Sequence, residues 1–121
     1  MLYNNYVEKI TKGVKIVVNI EKKTDVKLTN LLLSLHFNIG SMGFEYWKYA
    51  IFYKTKDKTK YNTMEEVYNK IAKDFHTTRT RVERNMRTSS NTAKLKIQKE
   101  YNYNIPLTQK VILSLLIEKI N

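Results

Sequence analysis

Arg79, Arg81, Arg84 and Arg87 are the only arginines in the chain, and they fall within nine residues. The 18 lysines are instead spread along the whole length. Lysine supplies a mobile point charge, whereas arginine supplies a rigid planar fork of donors. Confinement of arginine to one short stretch points to a use of that fork. Its natural targets are paired acceptors, such as phosphate oxygens or the major-groove edge of guanine. On a helix at about 100° per residue, Val82, Met86, Ser89, Ala93 and Ile97 share one face and are expected to pack inward. Thr80, Arg84, Arg87, Thr88 and Asn91 lie opposite, flanked by Arg81 and Glu83. The small residues Ser89, Ser90 and Ala93 suit a close approach of neighbouring helices. A charged outer face is commonly no more than solvated. Glu83 and Arg87, four apart, also form an ordinary helix-stabilising pair worth about 0.2–0.5 kcal/mol.

The elements that position this stretch sharpen the reading. Thr63-Met64-Glu65-Glu66 has the spacing of a capping box, opening a helix with Met64, Val67, Ile71 and Phe75 on one face. His76-Thr77-Thr78 is a short polar break whose threonines can cap the next helix. That helix is expected from about residue 79 to 97. A capped amphipathic helix, a short turn and a basic helix make a helix-turn-helix. Upstream, the chain reads as helical from Val26, with an apolar helix over Thr29 to Phe37 that ends at Ile39-Gly40. Phe44 to Lys54 reads as an aromatic helix. Its Phe44, Tyr46, Trp47, Tyr49, Phe52 and Tyr53 occupy too many sides for one core stripe, so some are expected at the surface as a protein-contact patch. Lys54–Asn62 and Gln98–Asn104 read as polar loops, and Pro106-Leu107-Thr108 opens a final helix through Ile120. Residues 1–25 differ: Val14, Ile16, Val18 and Ile20 alternate as in a strand, and Lys12-Gly13 could turn it back on Tyr6 to Ile10 as a hairpin. The expected layout is a strand or hairpin extension over 1–25 and a helical domain over 26–121.

Composition bounds the function. The chain has 121 residues, 42% of them apolar, enough for one modest core. The formal charge of +11 calls for polyanionic partners, chiefly nucleic acid. There is no cysteine, which fits a reducing cytoplasm. No apolar run approaches a membrane span, and Met1 to Asn5 lacks a signal-peptide pattern. His36 and His76, with no cysteine or paired carboxylates beside them, read as core or capping residues and not as metal ligands. Glu65-Glu66 suits the start of a helix and is no catalytic pair. No phosphate loop, nucleophile elbow or triad is visible. We therefore expect no enzyme, catalytic residue, metal, cofactor, small-molecule substrate or membrane partner.

The stretch Val67 to Arg87 resembles the C-terminal DNA-binding effector domain of stage-zero sporulation protein A, a response regulator of endospore-forming bacteria. Tyr68, Ile71, Ala72, Lys73, Phe75, Thr77, Thr78, Arg81, Val82, Glu83, Arg84 and Arg87 carry the match. Weaker similarity reaches His36, Ile39 and Gly40 upstream and Pro106 to Ile120 downstream. Thr88, Asn69 and Asn85 depart from the family pattern of His, Pro and Ala at those positions. The resemblance implies a mainly α domain, a bundle of about six helices containing the helix-turn-helix, with copies on tandem short DNA boxes. It implies base contacts from Arg84 and Arg87, with Glu83 accepting from a cytosine or orienting an arginine, and Thr88 beside them. From charge and position we expect Thr78, Arg79, Thr80, Arg81, Asn91, Lys94 and Lys96 to face the DNA backbone. The family's regulators carry a receiver domain ahead of this unit. Some 25 residues leave no room for one, so the chain is either a piece of a longer protein or stands alone; Met1 and the strand pattern favour a stand-alone protein, without control by phosphorylation in cis.

The leading expectation is a sequence-specific transcriptional regulator that binds double-stranded DNA in the bacterial cytoplasm and self-associates on tandem sites. The alternatives are a protein-interaction module that pairs with or antagonises a full-length relative, and a nonspecific nucleic-acid binder.

Overall fold

The computed structural model describes residues 20–101 and 106–120, together with the backbone of 7–11 and 14–18. The described core is all-helical, with six helices: α1 (Lys22–Ser34), α2 (Met42–Lys56), α3 (Met64–Asp74), α4 (Arg79–Asn91), α5 (Lys94–Tyr101) and α6 (Gln109–Ile120). The expected N-terminal strand or hairpin runs over Tyr6 to Ile20; the side chains of residues 1–19 lie outside the described residues, and Ile20 is buried in the core ahead of α1.

Helix α2 is the axis of the bundle. Phe44, Tyr46, Trp47, Tyr49 and Tyr53 are buried and Phe52 is partly buried against the same core. The expectation of an exposed aromatic patch here is thus overturned. A helix apolar on every side is one that neighbours surround, and α1, α3, α4 and α6 all pack on α2. Edge-on ring contacts tie these layers together, Phe37 to Trp47 at 5.5 Å and Tyr46 to Phe75 at 5.0 Å between centroids.

Helix α1 begins at Lys22, four residues before the Val26 expected from sequence. Asp25 lies in its first turn, where a negative charge suits the helix dipole. Its carboxylate takes a 2.8 Å hydrogen bond from Lys48 of α2, whose ammonium group is buried. That pairing gives the charged segment a reason to be helical that its own composition does not show.

Helix α1 ends at Ser34, not at Gly40. His36 takes the left-handed conformation at φ 68°. The Phe37 amide donates to the Leu32 carbonyl and the His36 amide to the Leu33 carbonyl. This pair of bonds is a Schellman motif, with His36 where glycine usually stands. His76 repeats the device at the end of α3: φ is 53°, Thr77 donates to Ala72 and His76 to Lys73. Both imidazoles are exposed, so the histidines act through their backbones. A left-handed non-glycine residue costs about 1–2 kcal/mol, while glycine adds about 0.5–1 kcal/mol of unfolded-state entropy. His36→Gly and His76→Gly are each expected to raise stability by about 0.5–1 kcal/mol in thermal melts. A lower melting temperature would show that the imidazole makes contacts of its own.

The single helix expected over residues 79–97 is in fact two. Helix α4 stops at Asn91 and α5 starts at Lys94. The Thr92 hydroxyl donates to the carbonyls of Ser89 and His36, and the Ser90 hydroxyl to that of Arg87. Such back-bonding competes with the helical ladder, and the bond to His36 fixes the break against the α1 turn. Helix α5 also takes up most of the expected loop over Gln98–Asn104, of which residues 102–105 lie outside the described residues.

Candidate nucleic-acid interface

Helices α3 and α4 and the turn between them form a helix-turn-helix. Both bonds of the capping box are present: the Thr63 hydroxyl accepts from the Glu66 amide at 3.2 Å, and Glu66 accepts from the Thr63 amide at 3.0 Å. At the start of α4 the Thr78 hydroxyl accepts from the Arg81 amide at 3.2 Å. The two caps and the His76 turn fix where one helix stops and the next begins.

The inward face of α4 is locked. Val82, Met86, Ser89 and Ser90 are buried. The Trp47 indole donates a 2.9 Å hydrogen bond to the Met86 carbonyl. Gly43 of α2 sits so close that a Cβ there would lie 2.2 Å from the Asn85 carbonyl oxygen and 2.6 Å from the Ser89 Cβ. The rotation of α4 about its own axis is therefore set from within the core.

The outward face is the polar one expected from sequence. Thr80, Arg81, Arg84, Arg87, Thr88 and Asn91 are all exposed. Arg84 makes no hydrogen bond or ion pair among the described residues. The first turn of α4 contains no acidic residue but does contain Arg79 and Arg81. Positive charge at a helix N-terminus opposes the macrodipole, and a phosphate placed there relieves it.

Other expected residues are already engaged. Arg79 forms a two-pronged ion pair with Glu65, with Nη2 at 2.8 Å from Oε1. Its guanidinium also lies over the Tyr68 ring, 5.0 Å from the centroid. The hydrogen bonds from Arg79 hold the Glu65 carboxyl below the usual range. Arg79 thus braces α4 against α3. Glu83 holds Arg87, whose Nη1 lies 2.8 and 2.7 Å from the two carboxylate oxygens. Lys94 and Lys96 lie on α5, past the break, and Lys96 pairs with Glu100 at 3.3 Å.

Sequence reasoning missed three residues that bear on this surface: Trp47, Gly43 and Gln109. Gln109 donates to both the main-chain carbonyl and the carboxylate of Glu83, each at 3.2 Å, and accepts from the Tyr68 hydroxyl at 2.8 Å. Nothing in their sequence surroundings marks them, because each acts on α4 from another helix.

Among the described residues no helix is long and apolar enough to cross a membrane. Comparison with curated proteins and with solved structures gives no match. The family model described as sporulation initiation factor Spo0A C terminal matches residues 28–109, from the middle of α1 to the first residue of α6. The chain belongs to the Spo0A C-terminal family, a non-enzymatic DNA-binding transcriptional effector domain.

Proposed function

We propose that the protein is a sequence-specific transcriptional regulator that lays α4 in the major groove of duplex DNA, acting at the bacterial nucleoid. The observation that carries this reading is the contrast between the two faces of α4. The inner face is clamped by Trp47 and Gly43, while the outer face presents Arg84, unpaired among the described residues, beside Arg87, Thr88 and Asn91. A rigid helix with an unpaired arginine fork suits direct readout of guanine. Arg84 and Arg87 read bases, Glu83 orients Arg87, and Thr88 lies beside them. Thr78, Thr80, Arg81, Asn91, Lys94 and Lys96 face the phosphates, and Arg79, which gives Nε and Nη2 to Glu65, adds Nη1 to them. The remaining lysines supply salt-dependent affinity. Copies associate on tandem sites, since one monomer covers a short footprint.

In the same proposal the residues ahead of α1 form an extension to the helical domain, whose boundary moves from the expected Val26 to Lys22. The antiparallel alignment of Val7–Thr11 with Val14–Val18 supports a hairpin there. The alternative of a protein-interaction module loses one of its supports with the burial of the α2 aromatics.

Fluorescence anisotropy on a duplex carrying the family's tandem boxes, against a scrambled duplex across salt concentrations, tests this function. We expect tighter binding to the boxes by about 10³-fold or more. Equal and steeply salt-dependent binding to both, with no winner from random-site selection, would reject specific recognition.

A further inference from the structure

Helix α6 touches the recognition helix through one side chain whose bonding is directional. A cleft of about 350 Å³ opens between α3, α4 and the start of α6, and Tyr68, Glu83, Arg87 and Gln109 line it. Tyr68 is buried and its hydroxyl is pushed up to about 12, by burial first and then by the charge of Glu83. It therefore stays a donor at neutral pH, and its 2.8 Å bond goes to the Gln109 carbonyl oxygen. An amide has one acceptor end and one donor end. The carbonyl and carboxylate oxygens of Glu83 can only accept, so the donor end must face Glu83, as it does at 3.2 Å, and the acceptor end is left to the Tyr68 hydroxyl. The same nitrogen also reaches the Glu83 main-chain carbonyl at 3.2 Å. Glu83 in turn takes both of its bonds from Arg87 at the single nitrogen Nη1. Nη2 and Nε are left for another pair of acceptors.

We propose that Gln109 is a positioning residue for base recognition: acting through Glu83, it sets which edge of the Arg87 guanidinium faces the DNA. This rests on the reading of Arg87 as a base-contacting residue. Glu83 could swing with Arg87 if only the pair within α4 held it. The bonds from α6 remove that freedom, the two Glu83 acceptors set the orientation of the amide, and the Tyr68 hydroxyl anchors its other end. An i, i+4 ion pair that is otherwise a modest surface feature becomes a fixed support for one arginine. Base readout by α4 thereby depends on where α6 begins.

The test uses the full chain and a duplex selected by the parent protein from a random pool. Binding is measured to that duplex and to its single-base variants at several salt concentrations. Arg87→Ala identifies the base pair that Arg87 reads. Gln109→Leu is expected to reduce discrimination at that pair about five- to tenfold, leaving discrimination elsewhere and the salt dependence unchanged. Tyr68→Phe, which removes only the hydroxyl, is expected to act in the same direction by less. In an Arg87→Ala background, Gln109→Leu is expected to cost nothing more at that pair. Equal loss at all pairs from Gln109→Leu and Tyr68→Phe would make Gln109 a brace of the fold and overturn the proposal. Silence of both variants where Arg87→Ala is effective overturns the positioning role and leaves the reading of Arg87 standing. Silence of Arg87→Ala removes that reading, and the proposal with it.

Discussion

Arg84→Ala is expected to lose about 1–3 kcal/mol of binding to the preferred duplex, a five- to 150-fold loss, and to relax specificity at one base pair. The expectation follows from how the four arginines divide. Arg79 is engaged by Glu65 and Tyr68, and Arg87 gives Nη1 to Glu83 and keeps one edge open. Arg81 stands in the first turn of α4, near the dipole end where phosphates bind. Arg84 is exposed, with no ion pair to break among the described residues. Its fork reaches a guanine edge without first giving up a partner among the described residues, so only desolvation and side-chain ordering offset its contact energy. Arg84→Lys keeps the charge and loses the two-pronged geometry. It is expected to recover nonspecific affinity and little of the discrimination. Competition binding against single-base variants separates the two effects. Uniform weakening across all variants would make Arg84 a phosphate contact and move base readout to Arg87 alone.

Gly43→Ala is expected to destabilise the protein by about 2–3 kcal/mol, a large share of the roughly 5–15 kcal/mol that holds a typical domain together. Local preference argues the other way. Gly43 is in the first turn of α2, and alanine favours a helix over glycine by about 1 kcal/mol. The close approach to α4 decides the sign. A Cβ at 2.2 Å from the Asn85 carbonyl oxygen meets backbone, which cannot step aside as the tip of a side chain can. Helix α4 must shift outward, which strains the Trp47 bond to Met86 and disturbs the recognition face with it. Urea unfolding is expected to show a lower midpoint with an unchanged slope, together with weaker specific DNA binding. Ser89→Gly in the same chain is expected to rescue only part, since it removes the 2.6 Å contact and leaves the 2.2 Å one. A gain in stability for Gly43→Ala would mean that α2 and α4 stand further apart than the structure has them.

Several elements of the interface were legible in the sequence because their causes are local. The capping box at Thr63 and Glu66 needs only residues three apart. The two faces of α4 follow from helical periodicity, and the burial of Val82, Met86 and Ser89 agrees with it, while Ala93 and Ile97 are buried beyond the break. The closing helix follows from Pro106 to Thr108, and the Thr108 hydroxyl accepts from the Val111 amide at 3.3 Å. The start of α1, the break at Thr92 and the burial of α2 were not legible. Each depends on a partner far along the chain: Lys48 for Asp25, the His36 carbonyl for Thr92, and four surrounding helices for the aromatic residues.

By itself the sequence determined the helix-turn-helix, the arginine face and the basic balance, since charge and periodicity are properties of residue types and their spacing. Only the tertiary structure decided which arginines are held by carboxylates, how closely α2 seats α4, and that Gln109 of α6 holds Glu83. Those outcomes turn on hydrogen bonds and contacts between helices. A side chain shows its donors and acceptors in the sequence, but the fold alone determines what stands opposite them.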